Sequence, residues 1–172
     1  MVADGLVEME LVGVRVELPS NTPIVLLREL AEPGRTLSIF IGGPEATAIA
    51  FALEGVETPR PLTHDLMKIV LDELSVSLTG VVITELRDTT YFAELHLLGF
   101  GESSVISARP SDAVALAARV GCPIMATQAI LEEAGFIEAP VEIDEDGGND
   151  PEEVVEEFKN FIDNVNPEDF AS

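Results

Sequence analysis

Three short motifs place acidic, basic and hydroxyl side chains at the predicted starts of helices. They are Gly42-Gly43-Pro44-Glu45, Arg60-Pro61-Leu62-Thr63-His64-Asp65 and Arg109-Pro110-Ser111-Asp112. The first turn of a helix has unpaired backbone N–H groups and the positive end of the helix dipole, and both favour anions. The same residue types also serve as helix caps in which an arginine pairs with a neighbouring carboxylate. The motifs therefore suit either an anion-binding site or a structural role.

His64 and Asp65 form the pair best suited to acid–base or metal chemistry. Imidazole titrates near neutral pH, and a carboxylate can hold its tautomer. Adjacent helical residues point about 100° apart, so a third group must complete any site that uses both. The other histidine, His96, lies on a predicted strand and is interpreted as structural. Hard cations have no fixed ligand spacing outside loops such as the EF-hand, which the sequence lacks.

Composition narrows the possible classes of function. Nine Lys and Arg oppose 32 Asp and Glu, which gives a net charge of −23, and 47% of the residues are apolar. A single cysteine, Cys122, and two histidines exclude a disulfide scaffold and a Cys/His zinc cage. The sequence lacks a long apolar run and a signal-peptide pattern, so we expect a cytoplasmic protein without a membrane partner. With so few Lys and Arg residues, the protein is poorly suited to non-specific binding of duplex DNA.

The elements that must position the motifs follow from periodicity and from Gly and Pro. The sequence predicts an α+β fold, a compact mixed sheet with helices packed on it. Strands are expected over residues 7–16, with a bulge near Gly13, and over 23–29, 37–41, 76–86, 91–98, 105–108 and 123–125. Helices are expected over residues 44–54, 63–74, 112–120 and 127–134, with Thr63 and Ser111 as N-caps.

The last part of the chain differs from the body. Residues 141–150 are acidic and predict a flexible linker between a domain over residues 1–140 and an acidic C-terminal segment over residues 151–172. Apolar residues recur at three- and four-residue spacing from Val154 to Val165. This pattern predicts an amphipathic helix over residues 151–165 that docks on the body or on a neighbouring subunit.

The three motifs, extended to Gly43–Ala50, Arg60–Leu66 and Arg109–Ala117, resemble the blocks of the bifunctional nuclease domain family. The resemblance covers about residues 6–136, within the domain over residues 1–140. It implies a compact α+β domain that assembles as a homodimer or higher oligomer, and it implies RNA or DNA as substrate. The acidic segment over residues 151–172 departs from the helical motif that some relatives share with excision-repair nuclease subunits.

The resemblance also implies a functional surface at which six side chains converge: Glu45, His64, Asp65, Arg109, Ser111 and Asp112. We hypothesise a hydrolase in which Glu45, Asp65 and Asp112 hold Mg or Mn. His64 would activate water and Arg109 would steady the phosphate, with Ser111 and Asp65 beside them in the catalytic group. The alternative is a noncatalytic oligomeric binding or regulatory module whose Arg-Pro motifs are structural.

Overall fold

A seven-stranded mixed sheet and four helices account for residues 5–137, the part of the chain that the computed structural model describes. The strands are β1 Leu6–Glu17, β2 Thr22–Glu29, β3 Thr36–Phe40, β4 Val76–Arg87, β5 Thr90–Gly99, β6 Glu102–Ala108 and β7 Ile124–Thr127. The helices are α1 Gly43–Glu54, α2 Thr63–Glu73, α3 Pro110–Val120 and α4 Gln128–Ala134. The predicted α+β class is confirmed. The linker and the helix expected over residues 141–165 lie outside the described residues.

The strand order is β3-β2-β1-β7-β4-β5-β6, and only the β4–β7 pair is parallel. In β1 the register against β2 shifts between Leu11 and Gly13, which confirms the predicted bulge. Gly13 has a φ of +151°, a conformation that L side chains rarely adopt. After the bulge Val14 pairs with Val25, and both side chains are buried in the core.

Helix α3 is the central helix of the packing, because it contacts both α1 and α2 and also lies against β4 and β5. Helices α1 and α3 carry small buried side chains, among them Ala46, Ala50, Ala113 and Ala117, which permit close approach of two helix axes. Leu116 of α3 is fully buried in the same core, a burial worth about 1.5–3 kcal/mol. None of the helices in residues 5–137 has the length and apolar character needed to cross a membrane.

Two helices begin one or two residues earlier than the predicted caps require, so Thr63 and Ser111 are not N-caps. Thr63 is the first helical residue of α2, and the cap position is taken by extended Leu62. In place of a hydroxyl, the Asp65 carboxylate accepts a hydrogen bond from the Leu62 backbone N–H at 2.9 Å. The first residue of α3 is Pro110. Proline is favourable at this position because it has no N–H group that would need a hydrogen-bond acceptor, and it keeps the preceding Arg109 extended.

The sheet curves enough to bring distant strands together. Three strands separate β3 from β4 in the sheet, yet the end of β3 and the β4–β5 turn line one cleft. Helix α4 contacts β3, β4 and β7, and after it Phe136 forms a backbone bridge to Thr36 with N–O distances of 2.7 and 3.1 Å. These contacts tie β3, at one edge of the sheet, to the segment that follows α4.

Candidate functional site

The predicted helix starts of α1, α2 and α3 surround one cleft of about 700 Å³. This arrangement follows from the position of α3, which packs against both α1 and α2. Its polar lining comes from all three motifs: Glu45, Thr47, Thr63, His64, Arg109 and Asp112. We call it the main cleft, and its volume lies in the range typical of small-molecule sites.

Arg109 links the starts of α1 and α3 across the main cleft. Its Nη2 donates to Oε1 of Glu45 at 2.8 Å and to Oδ1 of Asp112 at 3.0 Å, and its Nε donates to Oδ2 of Asp112 at 2.7 Å. The hydrogen bonds that Arg109 donates, to Asp112 first and to Glu45 second, raise the pKa of Arg109 above its usual value. The side chain remains 66% exposed. Within residues 5–137, Nη1 makes no hydrogen bond, so its two N–H groups can still bind an anion.

His64 is buried behind this ion pair and contacts the same carboxylate. Its Nε2 lies 3.1 Å from Oδ1 of Asp112. Burial alone would raise the pKa of Asp112, but hydrogen bonds from Arg109 and His64 outweigh it and hold that pKa below its usual value. Ionised Asp112 can only accept, so Nε2 of His64 is the donor. When the ring is neutral, the lone pair therefore lies on Nδ1.

Gly42 permits the position of Glu45, a role that the sequence did not reveal. A Cβ added at Gly42 would lie 2.3 Å from Oε2 of Glu45, so the carboxylate folds back over the start of its own helix. In that position Glu45 is largely buried and reaches Arg109. The Gly-Gly-Pro-Glu run predicts a helix start that suits an anion or a structural cap, with Glu45 as a metal ligand, but it does not show what Gly42 does for Glu45. The signal in the sequence was the glycine at position 42, because a side chain there would clash with Glu45.

Asp65 and Ser111 are not joined to this network. One oxygen of Asp65 accepts from Leu62 and the other accepts from Nε of Arg119, a largely buried side chain of α3. Arg119 was not among the predicted site residues, because its contact joins positions 54 residues apart. Ser111 is buried and lines a second cleft on the other side of Arg109. The structure thus brings together Glu45, His64, Arg109 and Asp112.

The site contains two carboxylates, and they already share one guanidinium. Across the described residues, no set of three or more His, Cys, Asp and Glu side chains is arranged around a point that could hold a metal ion. Mg²⁺ usually needs only one or two protein carboxylates, because water and substrate phosphate oxygens complete its coordination. Glu45 and Asp112 are two carboxylates in one cleft, and both bind the same Arg109 guanidinium at distances of 3.0 Å or less.

The chain matches the family model of the bifunctional nuclease domain over residues 25–139 and belongs to that family. It is 48% identical to an uncharacterized protein of Mycobacterium tuberculosis, over 96% of this chain and 98% of the relative. It is 29% identical to Bifunctional nuclease 1 of Oryza sativa, over 78% of this chain and 45% of the relative. Bifunctional nuclease 2 of Arabidopsis thaliana is 27% identical, over 69% and 38%. The match thus spans less than half of each of these plant relatives.

Proposed function

We propose that the chain is a nuclease that hydrolyses phosphodiester bonds of RNA, DNA or both in the main cleft. The observation that supports the proposal is a hydrogen-bond network in which both Arg109 and His64 bind the Asp112 carboxylate. This network lies in the cleft lined by the starts of α1, α2 and α3. Family membership supports it, because curated plant relatives are named bifunctional nucleases. The residues supply a base, a cation and two carboxylates around one volume, as phosphodiester hydrolysis requires.

In this proposal His64 acts on the attacking water, and Arg109 acts on the phosphate. Asp112 holds the imidazole through Nε2, so Nδ1 accepts the proton of the attacking water as its oxygen bonds to phosphorus. The P–O bond to the leaving sugar oxygen breaks, and solvent water protonates that oxygen. The two N–H groups on Nη1 of Arg109, which bind no other group within residues 5–137, donate to the non-bridging oxygens of the phosphate and stabilise its charge in the transition state. Glu45 keeps the guanidinium in place from the other side.

The charge of the cleft supports a requirement for Mg or Mn. Glu45 and Asp112 are negative and Arg109 is positive, so these three side chains have a net charge of −1. A phosphodiester brings another negative charge and is repelled unless a cation joins it. We propose that Glu45 and Asp112 hold the ion, which supplies positive charge to the phosphate oxygens. Asp65 is not among the residues that line the main cleft, and its bonds to Leu62 and Arg119 make it a positioning residue for the start of α2 in this proposal.

The test is hydrolysis of single-stranded and duplex RNA and DNA with Mg, Mn or a chelator. We expect His64→Ala and Arg109→Ala to lower kcat/KM by about 100-fold or more, because each removes a group that acts in the transition state. His96→Ala and Arg28→Ala are matched controls, since both residues are partly exposed and lie outside the main cleft. Equal activity in the wild type and in both cleft variants would exclude this site.

The same network also supports a second function, a noncatalytic binding module. Both carboxylates are already paired with Arg109, and such a pair can simply hold α1 to α3. This alternative predicts that Arg109→Ala lowers the melting temperature while the wild type hydrolyses no nucleic acid with any metal. The hydrolysis assay and a melting curve on the same variant therefore separate the two functions.

We also propose that the protein assembles with itself, in the simplest case as a symmetric dimer. Helix α2 leaves Leu66, Ile69 and Val70 exposed, and their three- and four-residue spacing places them on one side of the helix. In a two-fold interface the same surface patch of each subunit contacts the other, so one apolar patch is sufficient to form a dimer. Light scattering should show a monomer for Val70→Glu and the wild-type mass for Ile106→Glu, an exposed position on β6. Equal masses for wild type and Val70→Glu would exclude α2 as the interface.

A further inference from the structure

A second cleft of about 370 Å³ lies beside the main cleft, and Arg109 lines both. The second cleft is formed where the end of β3, the β4–β5 turn and the start of α3 meet, and we call it the aromatic cleft. The residues that matter here are Phe40, Gly42, Thr89, Tyr91, Arg109 and Ser111. None of the functions proposed above uses its aromatic side chains.

The lining combines two aromatic rings with hydroxyl groups. Phe40 lines the cleft and is 59% exposed, so part of this residue is accessible to a ligand. Tyr91 is partly buried, and burial together with the charge of Glu133 raises the pKa of its hydroxyl. That hydroxyl therefore remains a hydrogen-bond donor at neutral and mildly basic pH. Such a lining accepts a flat, polar-edged aromatic group.

The rim of the aromatic cleft includes the two-residue turn between β4 and β5. Asp88 and Thr89 form the β4–β5 turn with φ values of +45° and +71°. A positive φ is costly for a β-branched residue such as Thr89. Positive φ at both central residues is what a two-residue hairpin turn requires, and this turn places Thr89 in the lining of the cleft.

We propose that the aromatic cleft receives one unstacked base of a single-stranded nucleic acid. The base stacks on Phe40 beside the phosphate that Arg109 contacts. The assignment of that phosphate to Arg109 rests on the proposed nuclease function, and the inference adds the substrate class. Stacking on an aromatic side chain is tolerant of sequence and contributes a large part of the affinity of single-stranded binding.

The charge of the chain favours single strands over duplexes. With nine cationic residues and a net charge of −23, the protein has little capacity to bind the phosphates of a duplex. A single strand can bind through its bases, whereas the bases of a duplex are stacked and paired. A cleft of this size takes one base presented on its own.

Tyr91 provides a direct probe of the aromatic cleft. It is the only tyrosine of the chain, and the chain has no tryptophan. Intrinsic tyrosine emission therefore reports this cleft alone. We expect single-stranded oligothymidylate or oligouridylate to change the emission in the presence of a chelator, where no metal-dependent hydrolysis occurs. A blunt duplex of the same length is expected to bind at least about tenfold more weakly.

The variant that tests stacking is Phe40→Ala, with Phe40→Leu as a second variant that keeps an apolar side chain. We expect both to bind the single strand about 5- to 150-fold more weakly, because each loses the aromatic face. Phe100→Ala is the matched control, since Phe100 is 88% exposed in the β5–β6 turn, outside the aromatic cleft. It should bind like the wild type. Melting curves establish that the variants are folded.

Failure of this inference can be distinguished from failure of the proposed nuclease activity. If Phe40→Ala, Phe100→Ala and wild type bind a single strand equally, the base-binding cleft is overturned, even if the wild type hydrolyses nucleic acid. Unchanged Tyr91 emission or equal binding of duplex and single strand would overturn it as well. Binding that depends on Phe40, in a protein that hydrolyses nothing with Mg or Mn, would support the cleft and contradict the nuclease.

Discussion

At the scale of single residues, Gly42 gives a test that leaves every charge in place. In Gly42→Ala the new Cβ meets Oε2 of Glu45, and this flexible carboxylate moves before the backbone does. We expect kcat/KM to fall about 10- to 100-fold because Glu45 leaves Arg109, while the melting temperature changes little. Gly43→Ala is the control, since its Cβ would meet no atom within 4 Å. Full activity in Gly42→Ala would mean that the position of Glu45 is unimportant.

Asp112 gives a prediction about stability and pH. Its pKa is lower in the folded protein than in the unfolded chain, so its contribution is present above the unfolded value of about 4 and is lost as pH falls through the folded value. Asp112→Asn should cost about 1–3 kcal/mol of unfolding free energy at pH 7, and the difference from wild type should shrink below about pH 4, where half or more of the unfolded Asp is protonated.

Denaturant unfolding at pH 7, 5 and 3 measures this difference. Asp72→Asn serves as the comparison, because Asp72 makes an exposed pair with Lys68 that is worth about 0.5 kcal/mol at most. A loss in Asp112→Asn that stays constant down to pH 3 would show that the interactions of ionised Asp112 do not stabilise the fold.

The sequence indicated which residue types surround the site more reliably than where their side chains point. Glu45, Arg109 and Asp112 were found because Pro and charge mark helix starts. The direction of Asp65 depends on Arg119, which α2 meets only after it packs on α3. Local spacing contains no record of that contact.

At the scale of elements, we expect two substitutions in the β4–β5 turn to increase the stability of the fold. Replacing Asp88-Thr89 by Asn-Gly supplies residues that adopt positive φ readily, so the unfolding free energy should rise by about 1 kcal/mol and the melting temperature by about 3 °C. Thr90→Gly is the control and should destabilise, because Thr90 is the first residue of β5 and has no positive φ. A lower melting temperature for Asn-Gly would show that contacts of Asp88 or Thr89 outweigh the backbone cost.

Most strands and helices could be predicted because their evidence is local. Alternation of apolar residues gave β4 and β5 within two residues of their ends, and turn residues separated them. The place of β7 could not be predicted, since it lies between β1 and β4 through pairs such as Met9 with Ile124. A short apolar run does not indicate which distant strands it joins.

At the scale of the whole molecule, the acidic charge predicts weak salt dependence of nucleic-acid binding. If one or two arginines contact phosphates, log K for a single strand should fall with log salt with a slope of about −1, since each contact contributes about −0.7. Binding measured with a chelator over a series of NaCl concentrations gives the slope, and Arg109→Ala should reduce it by about 0.7. A slope of about −4 or steeper would indicate a basic surface and contradict recognition through a base.

The amphipathic pattern over residues 151–165 stays a prediction, because that segment lies outside residues 5–137. Its apolar positions and the exposed residues of α2 are two independent reasons to expect contacts beyond the described body. Their combined effect on assembly is accessible to light scattering on the full chain.

The position of β7 has a consequence for the order in which the protein is made. In the sheet, the β3-β2-β1 half and the β4-β5-β6 half meet only through this four-residue strand. Glu45 follows the first half and Arg109 follows the second. A ribosome produces both halves before it reaches Ile124, so each half can form as a local antiparallel unit. Until β7 is present, the strand edges of β1 and β4 that pair with it lack this partner. In the sheet, the two halves can be joined only after β7 has been synthesised, and assembly of the site is thereby coupled to one of the last strands to emerge.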